Sequence, residues 1–139
     1  MATTADIQSI WPPNATDAGP NQRRYVCRVT ITSTDATNLA DEIIVNKSDL
    51  TGPAGAEPSK LVLEEAEWSV AGYDCVILEW DDGTDEEMLR LSGAGFKDYR
   101  SYGGMHPAAS GNTGDVIATT QGGATNAAAD ITLHFRLKA

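Results

Sequence analysis

The sequence predicts an all-β fold: a single antiparallel β-sandwich or jelly-roll-like domain, with an extended N-terminal arm and a long Gly/aromatic loop. Three observations carry this expectation. Apolar and polar residues alternate with a period of two in several separate stretches. Turns rich in Gly, Asn and Asp divide those stretches, and helical spacing is confined to one short segment. At 139 residues the chain is one domain. A domain of this size buries roughly 70% of its unfolded surface, enough for one core without staples.

Residues 1–22 hold Trp11-Pro12-Pro13 and Gly19-Pro20 and show no periodicity, so they read as an arm rather than a strand. Proline fixes φ and restrains the residue before it, which favours an extended backbone. The sandwich domain is expected over 23–139. Its first strand is Tyr25, Cys27, Val29 and Ile31 alternating with Val26, Arg28, Thr30 and Thr32. Leu61 and Leu63, then Ala66, Trp68 and Val70, form a longer strand that changes face near Glu64-Glu65. A phase slip of this kind is what a β-bulge produces. Ala71-Gly72 reads as a tight turn into Tyr73–Trp80, so these two strands are expected to form a hairpin.

Asp82-Gly83 ends that strand as a turn. Thr84 and Glu87 have capping-box spacing ahead of Met88, Leu89 and Leu91, which suits a two-turn helix; a strand over Met88–Leu91 competes with it. Gly93–Thr113 is glycine-rich yet carries Phe96, Tyr99, Tyr102 and Met105, and reads as a loop of about 20 residues. Loops of that length inside compact domains tend to be functional. Gly114–Gln121 and Asp130–Lys138 form the last expected pair, with Ile131, Leu133, Phe135 and Leu137 facing in.

Charge narrows the function classes. Twenty Asp and Glu stand against ten Lys and Arg, a net charge of −10. Glu57–Glu87 holds eleven acids and one base, Lys60, so the whole surplus lies in one central segment. Phosphate binding needs a basic footprint, so no nucleic-acid partner is expected. Met1–Trp11 lacks the basic and apolar regions of a signal peptide, and no apolar run reaches the length of a membrane span. Two cysteines, Cys27 and Cys75, sit in strand-like runs and are expected to be buried free thiols of a protein made in a reducing cytoplasm.

Catalysis finds little support. His134 lies on the outward face of the last strand, and His106 precedes Pro107 with no Cys, Asp or Glu neighbour. G-x-S-x-G, H-E-x-x-H, C-x-x-C and P-loop patterns do not occur, and Gly93-Ala94-Gly95 lacks the third glycine of a dinucleotide site. No enzyme activity, cofactor or metal is expected. The run Asp81–Glu87 suits calcium in its carboxylates but not in EF-hand spacing, and reads as a solvated turn. Trp68 and Trp80 lie on strands and belong in the core.

Two segments therefore stand out. Each carries apolar side chains on chain with no core of its own to enter: Ile7, Ile10 and Trp11 in the arm, and Phe96, Tyr99, Tyr102 and Met105 in the loop. Such groups pack on a partner or fold back over the body, and these seven are the candidate partner-binding residues.

Over about residues 70–138 the chain resembles the capsid decoration, or cement, proteins of tailed bacteriophages. The resemblance runs through Ile77-Leu78-Glu79-Trp80-Asp81, Leu89-Arg90-Leu91-Ser92-Gly93, Phe96-Lys97-Asp98-Tyr99 and Tyr102-Gly103-Gly104-Met105-His106-Pro107. It closes with Gly114-Asp115-Val116-Ile117-Ala118-Thr119-Thr120 and the Asp130–Lys138 strand. These motifs are turns and strand faces rather than chemistry, and the N-terminal half matches only in strand layout. The resemblance implies a structural virion protein on the capsid exterior, with the major capsid protein as partner and homo-oligomers expected. Another phage part, such as a tail or head-completion protein, and a stand-alone ligand-binding β-sandwich are the alternatives.

Overall fold

The computed structural model describes residues 3–11, 23–52, 56–82, 84–106 and 113–138. Among these residues nine strands are formed: β1 (Thr3–Trp11), β2 (Arg24–Ser33), β3 (Glu42–Val45), β4 (Lys60–Ala71), β5 (Cys75–Trp80), β6 (Glu86–Leu91), β7 (Ala94–Asp98), β8 (Val116–Gln121) and β9 (Ala128–Lys138). They make a five-stranded sheet in the order β1-β2-β9-β4-β7 and a four-stranded sheet in the order β3-β8-β5-β6, antiparallel in every pair. The all-β, sandwich-like architecture expected from period-2 alternation is the one found.

The core lies between the sheets. Cys27, Val29 and Ile31 of β2 and Ile131, Leu133 and Phe135 of β9 face inwards and are buried. Trp80 of β5 reaches across to Phe135, edge to face with ring centroids 6.5 Å apart, while Tyr25 stacks on the same ring at 6.4 Å. The bulge in β4 falls where the phase slip placed it: Leu63 pairs with Phe135, and Glu65, two residues on, pairs with His134. The slip keeps Leu61 and Leu63 facing inwards ahead of it and Ala66 and Val70 after it.

Four local expectations are corrected. β4 and β5 are not a hairpin: β4 bonds to β9 and β7, β5 to β6 and β8, so 72–74 carries the chain from one sheet to the other. Gly72 makes that crossing possible, because its φ is +84° and a Cβ there would lie 2.8 Å from Ala127. β8 and β9 likewise lie in different sheets rather than pairing. Alternation and a glycine turn look the same in a hairpin and in an arch; the partner strands decide between them.

Of the two readings open for 84–91, a capped helix and a strand over Met88–Leu91, the strand is the one found, as β6. A two-turn helix has little cooperativity of its own. Pairing with β5 instead buries Met88 and Leu91 and satisfies the backbone. Thr3–Trp11 is an edge strand beside β2 rather than irregular chain. The long loop also contains a strand, β7, followed by a 3₁₀ turn at Arg100–Tyr102 and a bridge in which Met105 and Leu63 exchange backbone hydrogen bonds of 2.8 and 2.7 Å. β7 escapes the period-2 reading because its inward positions are Gly95 and Lys97. A Cβ on Gly95 would lie 2.5 Å from the Trp68 indole, so close packing requires glycine. Residues 1–2 and 12–22, the remainder of the arm, and 107–112, most of the loop's end, lie outside the described residues, as does Gly83 of the Asp82-Gly83 turn.

Candidate functional site

The seven candidate residues fall at opposite edges of the five-stranded sheet. Ile7, Ile10 and Trp11 belong to β1, and all three are exposed, Trp11 by 57%. Their exposure follows from position: β1 is outermost, and a register shift between Ser9 and Trp11 turns Trp11 onto the outer face opposite Val26. Phe96, on β7, is the counterpart at the far edge, on the outer face opposite Glu67 and 55% exposed. Tyr102, in the 3₁₀ turn that follows, is 83% exposed. Four inter-strand steps separate β1 from β7, or about 19 Å at ~4.8 Å each. Tyr99 and Met105 differ from the rest: both pack, half-buried, against the core.

Between the two apolar edges runs a band of ion pairs. Glu64, buried at the bulge, accepts from Arg24 at 2.7 Å and lies 3.6 Å from Arg136. Arg100 holds Asp98 through Nε and Nη2 at 3.0 and 2.8 Å and reaches Glu65 at 3.1 Å. Those hydrogen bonds push the Asp98 carboxyl down to about 2 and raise the Arg100 guanidinium further. Arg28 grips Asp130 in the same two-pronged way, at 2.9 and 2.6 Å, which lowers that carboxyl too. Arg136 also donates to the Gly103 carbonyl at 3.0 Å, tying the turn that bears Tyr102 to β9. The outer face thus carries ion pairs across its middle, with Trp11 and Phe96 exposed towards its two margins.

Other features could not be read from single segments. Ile43 of β3 is exposed and sits beside Ile117 on the outer face of the four-stranded sheet. Its four-residue strand gives too short an apolar run to assign. Asp41, Glu79 and Asp85 each bring a carboxylate oxygen within 4.8 Å of the others. Oxygen ligands in a flexible setting suit a hard cation. Equally, the carboxylates repel: partial burial, then Asp85, Asp41 and Glu87, raise the Glu79 carboxyl above its ordinary value. Of the acidic run Asp81–Glu87 only Asp85 joins this trio; it also accepts from the Asp82 N–H at 3.0 Å, while Asp81 meets Thr113. A shallow polar depression on the outer face of the larger sheet is lined by Arg28, Glu67, Trp68, Ser69, Asp130 and Thr132.

His134 is half-buried on that same face, in register with Val26 and Glu65. Cys27 and Cys75 are both buried and free, and burial pushes the Cys27 thiol up to about 12. Trp80 is buried; Trp68 packs on the core's margin and donates from Nε1 to the Ser92 carbonyl at 3.1 Å. Comparison of the chain with protein-family models, with curated proteins and with solved structures gives no match.

Proposed function

We propose that this chain is a structural virion protein that binds the exterior of a tailed-phage capsid and stabilises it by joining neighbouring subunits. The observation that carries the reading is the placement of exposed apolar side chains at two opposite edges of one sheet, Ile10 and Trp11 on β1 and Phe96 and Tyr102 by β7. A body with two separated contact margins and an ion-paired face between them suits bridging, in which each copy adds buried interface without chemistry. Repeated contacts across adjacent capsid subunits convert modest affinities into durable attachment. The acid surplus disfavours competition for packaged DNA. The resemblance to decoration proteins over about residues 70–138 points the same way.

Co-sedimentation with purified undecorated heads tests it: saturable binding is expected, and free protein left wholly in the supernatant would refute it. The polar depression beside Phe96 favours one second reading, a stand-alone module that binds a polar ligand such as a glycan. Binding on a glycan array without binding to heads would select that reading instead.

A further inference from the structure

Among the described residues β1 is an edge strand nine residues long, and the bonding of its neighbour fixes which of its backbone groups point away from the sheet. Ser33 donates its N–H to Ala127, and the Arg23 carbonyl accepts from Leu137. Odd-numbered residues along this segment therefore turn their backbone to β9, and even-numbered ones to β1. In the register Thr4↔Thr32, Asp6↔Thr30, Gln8↔Arg28, it follows that Thr4, Asp6 and Gln8 bond to β2. Ala5, Ile7 and Ser9 aim N–H and C=O away from the sheet. Proteins blunt such edges with Lys, Pro, short strands or early bulges. Thr3–Ser9 has no Lys and no Pro, and the first register shift comes only after Ser9.

We propose that β1 pairs antiparallel with β1 of a second copy about a two-fold axis between their Ile7 residues, making one continuous ten-stranded sheet. Three observations select this occupant and this register. Ile7 is the midpoint of Thr3–Trp11, so only this axis overlaps the whole strand. It sets Asp6 of each copy opposite Gln8 of the other. Both side chains lie on the outer face, and neither makes a side-chain hydrogen bond among the described residues. An axis at Asp6 would oppose two carboxylates instead, which destabilises a cross-strand pair.

Charge agrees with the choice. β1 and β2 carry Asp6 against Arg24 and Arg28, whereas the acid surplus of 57–87 lies on β4, β5, β6 and their connections. Joining at β1 leaves those regions on the far sides of the pair. About six backbone hydrogen bonds would form, between the two Ile7 residues and between Ala5 and Ser9 in both directions. The two Ile7 side chains, each 38% exposed in the single chain, would meet at the sandwich margin.

This pairing goes beyond the capsid reading and draws on the same β1 margin, yet the two fail separately: a dimer that ignores heads, and a monomer that binds them, are both measurable. Sedimentation equilibrium of the full chain is expected to give twice the chain mass well below about 100 µM, within the range of a small specific interface. A monomer at that concentration, or a larger assembly, would overturn the proposal. Ile7→Lys and Ile7→Glu should each be monomeric, and an equimolar mixture should recover the dimer, because residue 7 faces residue 7. Either variant remaining dimeric alone, or two folded variants failing to recover together, would refute the register. Hydrogen exchange on the unmutated chain gives a readout that needs no variant. The amides of Ala5, Ile7 and Ser9 should gain protection with concentration, while Asp6 and Gln8 are protected throughout; concentration-independent exchange at all five would overturn the pairing.

Discussion

Tyr102 and Tyr99 lie three residues apart and are expected to respond oppositely to the same substitution. A covered tyrosine side chain buries roughly 200 Å², and Tyr102 is 83% exposed, so the free protein covers only about 35 Å² of it. At ~25 cal/mol per Å² that is under about 1 kcal/mol, so Tyr102→Ala should lower the melting temperature by no more than about 3 °C. The remaining ~165 Å² is available to a partner, with an upper value of about 4 kcal/mol. A central interface tyrosine commonly costs about 2 kcal/mol or more, or roughly 30-fold in Kd. Tyr99, half-buried against the core, should instead lose about 2–3 kcal/mol of stability on truncation and melt roughly 5–10 °C lower. Paired thermal melts and head-binding isotherms of the two variants measure both quantities. A Tyr102→Ala protein that melts much lower yet binds heads as tightly would refute the assignment and return the turn to the core.

Glu79 has a folded-state pKa raised above its ordinary value, so its contribution to stability is present below that value and is lost as pH rises through the shifted one. Glu79→Gln is therefore expected to raise the melting temperature by about a degree or two at pH 7, with the gain vanishing towards pH 4; a lower melting temperature at pH 7 would count against the crowding of carboxylates. Asp98 works in the opposite sense: its depressed pKa stabilises the fold above the ordinary carboxyl value, and that contribution should fade as pH falls towards about 2. Asp98→Asn should thus narrow the gap between melts at pH 6 and pH 3. Cys27 is buried with its thiol pushed up to about 12, so it should resist alkylation at pH 8 until the protein is unfolded. Rapid labelling of Cys27 in the native protein would show that the core opens there.

How much of this was legible in the sequence depends on how each residue's signal arises. β2, β4 and β9 each bury one face against the opposite sheet, so their apolar residues alternate, and the β4 bulge showed as a broken phase. β1, β3 and β7 are edge strands. Half-covered edges need no clean alternation, and in β7 the inward position is Gly95, dictated by a Trp68 indole 27 residues earlier. Pairing was harder to read than strand existence, because 72–74 and 122–127 carry the signals of hairpin turns and yet cross between sheets. Five of the seven partner-binding candidates, Ile7, Ile10, Trp11, Phe96 and Tyr102, are exposed. Tyr99 and Met105 instead pack against the core, Met105 through its bridge to Leu63 and Tyr99 through its N–H to the Glu64 carbonyl, ties to β4 that local sequence does not carry. Ile43 and the Asp41–Glu79–Asp85 group depend on tertiary pairing between segments far apart in the chain.

Copy number per virion tests the central claim most directly. Quantitative mass spectrometry of purified particles, scaled to the major capsid protein, measures it in one experiment. A protein that joins neighbouring subunits over an icosahedral shell repeats with the shell's symmetry, so on the order of hundreds of copies per particle are expected. About a dozen copies or fewer would contradict the account and place the chain at a connector or tail; no copies at all would remove it from the virion.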